Sequence, residues 1–159
     1  MEKYYEPPEI SQIPDIKLYM DQMIEYLELR LAPLKWEGDK AIITKTMVNN
    51  YVKAGLIEKP EKKKYSKSQI MDLMMACHFK NVLSIEEIAE LFRIKEKFAL
   101  KDEFYASYRN ACLKMEGADL GDWAARDDWQ NIIKSIIMSD YYKRMAKRSL
   151  KDKCLSGKD

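Results

Sequence analysis

Glycine and proline are scarce in this chain, five of each in 159 residues, and it has one histidine and three cysteines. So little glycine leaves no phosphate-cradling loop: neither G-x-G-x-x-G nor a Walker sequence occurs, which removes the defining signal of the two commonest nucleotide-binding folds. Cys77, Cys112 and Cys154 are odd in number and widely spaced, and with His78 as the sole imidazole they cannot complete a four-ligand zinc site unless carboxylates join. They read as reduced thiols of a cytoplasmic protein, with no metal and no cofactor expected. Long apolar runs are missing as well. The longest, residues 73–77, is far too short to span a membrane, and the acidic, polar opening MEKYYEPPEI lacks the pattern of a signal peptide. A membrane partner is therefore not expected.

What is present is 47% apolar and 34% charged residues, enough burial to offset chain entropy in one globular domain or in a small domain with an appendage. Net charge is only +2, but it is unevenly spread. Residues 1–31 hold seven acids against three bases, residues 58–67 five lysines against two acids, and residues 143–159 seven bases against two acids. Basic clusters on a balanced chain are either a solvated surface or an electrostatic footprint for a polyanion, and their position decides which.

Residues 1–14, with Pro7, Pro8 and Pro14, read as an extended tail. From Asp15 the residues Ile16, Tyr19, Met20, Met23, Ile24, Leu27 and Leu31 recur at helical spacing until Pro33 ends the run, and residues 36–40 form a polar loop. Three helix starts follow. Thr44 is an N-cap with Ile43 and Val48 as a hydrophobic staple, while Ser66 with Gln69 and Ser84 with Glu87 are capping boxes stapled by Tyr65 and Ile70, and by Leu83 and Ile88. The first of these helices, 45–54, stops at Gly55; the second, 67–81, is apolar nearly all round and belongs at the centre of the core; the third covers 85–94. Two longer helices are expected beyond residue 97. One carries Phe104, Tyr105, Tyr108, Cys112 and Met115 and stops near Gly117; the other runs from Trp129 into the basic end, with Asp119, Gly121 and Asp122 marking the turn between them.

The fold class is thus mainly α, with one exception. Residues 56–65, LIEKPEKKKY, have hydrophobic ends around a proline and a lysine run, and those ends are expected to pair as a small two-stranded wing. A helix, a glycine stop, a basic wing and a capped core helix is the layout of a winged helix-turn-helix.

The stretch ITKTMVNNYVKAGLIEKPEKKKYSKSQI, followed by KNVLSIEEIAELF, resembles the bacterial family of domain of unknown function 1836 over residues 18–94. More distantly it is similar to the DNA-binding domain of MerR-type regulators, whose second helix, glycine stop, leucine, proline and wing tyrosine have counterparts in Val48, Tyr51, Gly55, Leu56, Pro60 and Tyr65. Asn49 and Asn50 stand where the MerR pattern has an arginine and an aromatic residue, and a longer helix with the 36–40 loop replaces the short helix before the turn. Groove contacts are therefore not carried over side chain for side chain. The resemblance implies a MerR-like winged helix-turn-helix over 15–97, a C-terminal helical region over 98–159 that mediates assembly, and a regulatory role.

On the helix 45–54, Val48, Tyr51 and Val52 are expected to face the core, leaving Lys45, Thr46, Asn49, Asn50 and Lys53 outside. Asn bonds adenine N6 and N7 together, Lys reaches guanine or phosphate, and Thr offers a methyl and a hydroxyl, so this face suits a major groove. The bland alternative is that the asparagines only tie down the neighbouring loop. Lys62, Lys63 and Lys64 in the wing are expected over phosphate or in the minor groove, with Lys67 as a further DNA contact. His78 reads as a partly buried structural histidine, since no nucleophile or orienting acid sits near it in sequence, and Asp127 and Asp128 as helix N-terminal acids. No catalysis is expected. One winged helix covers a single half-site, so a homodimer is expected, held by Trp129, Ile133, Ile136, Ile137 and Tyr141 on a stripe that also includes Ile132 and Met145; the competing account packs the stripe against Phe104, Tyr108, Cys112 and Met115 of the same chain. The ten methionines and ten tyrosines leave room for an unidentified apolar effector or another helix. The resulting expectation is sequence-specific binding of double-stranded DNA in transcriptional regulation, against the alternative of a protein-protein interaction module on the same scaffold.

Overall fold

Residues 3–98, 102–115 and 128–157 are described in the computed structural model. Their elements run β1 (Leu18–Tyr19), α1 (Met20–Leu31), α2 (Lys45–Lys53), β2 (Lys64–Tyr65), α3 (Lys67–Phe79), α4 (Ile85–Phe98), α5 (Glu103–Leu113) and α6 (Trp129–Ser156), with short 3-10 turns at Ile10–Gln12 and Ala32–Leu34. The chain is mainly α, and no described helix is long and apolar enough to cross a membrane.

Helix starts follow their capping side chains. The Thr44 hydroxyl accepts from the Met47 N–H at 3.2 Å, Ser66 and Gln69 exchange both capping-box bonds at 3.3 and 2.8 Å, and Ser84 and Glu87 do the same at 3.2 and 2.9 Å. Asp128 caps α6 by accepting from Asn131 N–H at 2.9 Å, in line with its reading as a helix N-terminal acid; Asp127, Gly117, Asp119, Gly121 and Asp122 lie outside the described residues. α2 ends in a Schellman motif. Gly55 has φ +78°, its N–H bonds the Val52 carbonyl at 3.1 Å, and Leu56 N–H bonds the Tyr51 carbonyl at 3.0 Å, which draws Leu56 into the core beside Tyr51.

The core is built around α3. Its residues Ile70, Met71, Leu73, Met74, Met75, Ala76, Cys77, His78 and Phe79 are all buried, so neighbours pack on every side of it, as an all-round apolar helix requires. α1 contributes Met23, Leu27 and Leu31, and α4 contributes Ile88, Ala89, Leu91 and Phe92.

Two expectations are corrected here. The first helix begins at Met20 rather than Asp15, because Leu18 and Tyr19 are drawn into antiparallel pairing with Tyr65 and Lys64; Ile16, outside the helix, is 72% exposed. For the same reason the wing does not close on itself: β2 takes β1 as its partner, and Leu56 and Ile57, the other end of the expected wing, are buried in the core. From residue 3 on, the expected extended segment packs against the rest of the chain. Tyr5, Pro7, Pro8 and Ile13 are buried, and α5 holds the segment through Tyr105 Oη donating to the Pro8 carbonyl (2.6 Å) and Arg109 Nε donating to the Pro7 carbonyl (3.0 Å). Proline carbonyls in an extended segment have no ladder of their own, so side chains satisfy them.

The expected dimer stripe on α6 is covered by the chain itself. Ile133, Ile136 and Ile137 are buried in the same core as Phe104, Tyr105, Tyr108 and Cys112 of α5. Trp129 stacks on Phe104 with ring centroids 5.4 Å apart, and Tyr141 meets Tyr4 edge-on at 5.4 Å. The competing intramolecular packing accounts for this stripe, and of its members only Ile132 and Met145 are exposed.

Candidate nucleic-acid interface

α2 is placed by the loop before it. Glu28 of α1 accepts the backbone N–H groups of both Ile42 and Ile43 at 2.8 Å, and Lys80 Nζ, just past α3, donates to the Ile42 carbonyl at 2.7 Å. With Ile43, Val48 and Tyr51 buried, the opposite side of α2 presents Lys45, Thr46, Asn49, Asn50 and Lys53, all exposed. Among the described residues no side-chain hydrogen bond ties Asn49 or Asn50 to the neighbouring loop. Lys45 is engaged by Asp21 at 2.7 Å, in a pair whose side chains are 65% and 78% exposed; solvent screening makes it easily broken.

Residues 61–64 form a tight turn closed by Lys64 N–H to the Glu61 carbonyl at 3.0 Å, with φ +50° at Lys62 and +65° at Lys63. Positive φ at both central positions is the signature of a type I′ turn, which asparagine and glycine adopt readily and lysine does not, at about 1–2 kcal/mol per residue. Two exposed lysines thus occupy a tip where stability alone would favour Asn-Gly. The turn is braced by Lys17 Nζ donating to the Glu61 carboxylate at 3.1 Å. The other two basic residues are diverted. Lys64 lies over the Tyr19 ring, 5.0 Å from its centroid, and Lys67 pairs with Asp15 at 2.9 Å, so neither stands at the tip with Lys62 and Lys63.

A second cluster was invisible in the sequence. His78 and Asp140 are both fully buried, with Nε2 and Oδ2 3.1 Å apart. Tyr4 Oη lies 2.5 Å from the same Asp140 oxygen and 2.7 Å from His78 Nε2, Tyr108 Oη lies 2.7 Å from His78 Nδ1, and Arg144 Nε donates to Asp140 Oδ2 at 2.8 Å. One proton arrangement satisfies all of these: Nε2 carries the hydrogen, Nδ1 accepts from Tyr108, and Tyr4 donates to the carboxylate. Burial lowers the pKa of His78 against the opposing pull of Asp140, which keeps the imidazole neutral. Burial also pushes the Asp140 carboxyl up, but the His78, Arg144 and Tyr4 bonds outweigh it and bring the pKa down to about 2. His78 therefore has an orienting acid after all, supplied 62 positions away by α6. Both groups are enclosed within the core, where the cluster ties the N-terminal segment, α3, α5 and α6 together. Its only sequence signal was a lone histidine in an apolar helix, which demands a polar partner without naming it.

An open cleft of about 420 Å³ lies between the 58–64 segment, α3 and α4, lined by charged groups including Lys17, Glu58, Lys59, Glu61, Asp72 and Lys95. Asp72 and Lys95 pair across it at 2.6 Å. Cys77 and Cys112 are buried, and burial pushes the Cys77 thiol up to about 12; Cys154 is exposed. Among the described residues no group of three or more His, Cys, Asp or Glu is placed to hold a metal ion.

The family model described as domain of unknown function (DUF1836) matches residues 8–112, from the extended segment through α5. No curated protein and no solved structure matches the chain.

Proposed function

We propose that this chain, which belongs to the DUF1836 family, is a sequence-specific DNA-binding protein of transcriptional regulation that uses α2 as a recognition helix and the 61–64 turn as a reduced, MerR-like wing. One observation carries the reading. A short helix, pinned at its entry by Glu28 and at its exit by the Gly55 stop, turns five polar or basic side chains outward, and is followed directly by a strained turn presenting two lysines. Positive φ at non-glycine residues is a cost that points to use rather than stability. In this reading Asn49 or Asn50 reads a base edge, Lys45 and Lys53 reach guanine or phosphate, and Lys62 and Lys63 hold phosphate without reading sequence. Lys45 exchanges its screened Asp21 partner for the duplex. Two copies acting on paired half-sites remain part of the proposal, but not through Ile133, Ile136 and Ile137, which the chain's own core occupies.

Selection of binding sites from random duplex DNA tests the reading. An enriched motif that Asn49→Ala or Asn50→Ala relaxes at one position, at a cost of about 1–3 kcal/mol, supports it. Absence of any enrichment by the folded protein rejects it.

A second reading has one observation in its favour: Asp15, Asp21 and Glu61 pair with Lys67, Lys45 and Lys17, so the basic residues around α2 and the turn are interleaved with acids. A mixed-charge face suits a protein partner. Salt dependence separates the two, because phosphate contacts release condensed counterions and a mixed protein interface does not to the same degree.

A further inference from the structure

The C-terminal part of α6 carries Lys143, Arg144, Lys147, Arg148 and Lys151, spaced so that three and two of them stack four residues apart on one helix face. The face rests on the loop that leads into α2. Trp36 lies beneath three of its cations, with Arg144 Cζ 4.0 Å, Lys147 Nζ 4.2 Å and Lys143 Nζ 5.3 Å from the indole centroid, and Lys151 pairs with Glu37 at 2.7 Å. Trp36 Nε1 is fixed in turn by the Asn81 side chain at 3.0 Å.

Contacts with Trp36, Glu37 and the Asn81 carbonyl hold these cations, but the helix's own electrostatics do not favour so many of one sign. Like charges at i, i+4 destabilise a helix, and here they recur without acids between them; Asp152 is the single acid from 143 to 157. The helix dipole favours cations only in the last turn, and Lys143, Arg144 and Lys147 lie well before it. Arg144 has a structural task, since it bonds Asp140 and the Leu34 carbonyl. Lys147, Arg148 and Lys151 are exposed.

We infer that this ridge is a second phosphate-binding surface, which grips the duplex backbone flanking the segment read by α2. The inference rests on the DNA-binding reading above. Charge complementarity selects the occupant: from Lys143 to Lys151 the ridge runs about 12 Å, over which a duplex presents about seven phosphate charges. Trp36 sets the spacing of the cations by holding their stems or heads against its ring, so the ridge meets phosphate with its charges already gathered.

The experiment measures binding of the full chain to mixed-sequence duplexes of about 30 bp across a salt series. Lys147→Ala/Arg148→Ala/Lys151→Ala is expected to make the log–log salt slope shallower by about 2 to 3, at about 0.9 per lost phosphate contact. The charge-conserving Lys147→Arg/Lys151→Arg is expected to keep the wild-type slope. Lys114→Ala/Lys134→Ala removes exposed charges elsewhere and is expected to leave it unchanged, which separates the ridge from net charge. A wild-type slope in the triple variant overturns the ridge, while a shallower slope in Lys62→Ala/Lys63→Ala beside it keeps the α2 reading alive. A shallower slope in the triple variant alone supports the ridge and removes the turn. No duplex binding by the wild type rejects both. Loss of binding to vesicles of mixed neutral and anionic phospholipid, with duplex binding intact, also overturns the ridge.

Discussion

Tyr4 and Asp140 stand 136 positions apart in sequence and share a 2.5 Å hydrogen bond at the edge of the core, with His78 Nε2 within 3.1 Å of the same carboxylate oxygen. This bond joins the extended N-terminal segment to α6, and through His78, Tyr108 and Arg144 the same cluster reaches α3, α5 and the Leu34 carbonyl. The DUF1836 match includes His78 and Tyr108 but ends before Asp140 and Arg144 and begins after Tyr4.

Removing Asp140 leaves a guanidinium, an imidazole N–H and a phenol facing an uncompensated gap. Asp140→Ala is expected to destabilise the fold by about 3–5 kcal/mol, as loss of one member of a buried charged pair does. Asp140→Asn keeps the shape and loses the charge, and should cost less. Urea midpoints of the two variants check the order; equal and small shifts would show that the cluster contributes nothing.

Stability should depend on pH through His78. Burial holds its folded pKa below the ordinary 6.5 of the unfolded chain, so the unfolded state takes up the proton first. Stability is therefore full above pH 6.5 and declines as pH falls through that value toward the lower folded pKa. Asp140 adds a later loss, since its carboxylate is favoured in the fold: its contribution is present above 3.8 and disappears as pH falls toward about 2. Denaturant midpoints from neutral pH downward should show the first decline, and His78→Gln should abolish it.

The turn offers a test in which stability and binding move in opposite directions. Lys62→Asn/Lys63→Gly replaces two residues at φ +50° and +65° with the pair that type I′ turns prefer. The fold is expected to gain about 2–4 kcal/mol, less the about 0.5–1 kcal/mol of chain entropy that the glycine costs, while duplex affinity falls at every sequence because two phosphate contacts are lost. Unchanged affinity together with a raised melting temperature would remove the turn from the interface.

Ile133→Glu with Ile137→Glu puts two carboxylates at positions that are 1% and 0% exposed. The pair is expected to unfold the C-terminal half, with a loss beyond the about 1.5–3 kcal/mol that burying each isoleucine contributes. Circular dichroism and sedimentation read the result together. A folded monomer would place these residues at an interface between chains instead of in the core.

Much of the helical framework is legible along the chain because its causes are local. Thr44, Ser66 and Ser84 cap the helices they were expected to cap, since a hydroxyl and the backbone N–H three residues on that donates to it report on each other without help from the rest of the fold. The exposed row on α2 is legible for a similar reason: helical periodicity separates Val48 and Tyr51 from Lys45, Thr46, Asn49, Asn50 and Lys53. The wing and the dimer stripe were read less well. An apolar end such as Leu56, or a stripe such as Ile133, Ile136 and Ile137, states that it must be buried but carries no mark of the partner that buries it.

The sequence by itself therefore determined the capped starts of α2, α3 and α4, the glycine stop at Gly55, the all-round burial of α3 and the outward chemistry of α2, because each depends on residues within a few positions of one another. Only the tertiary structure decided that Lys64–Tyr65 pairs with Leu18–Tyr19, that α6 spends its isoleucines on α5, and that Asp140, Tyr4 and Tyr108 meet at His78. Those outcomes depend on closing long loops, and a buried histidine or an unpaired strand can be satisfied by any suitably shaped partner the chain brings to it.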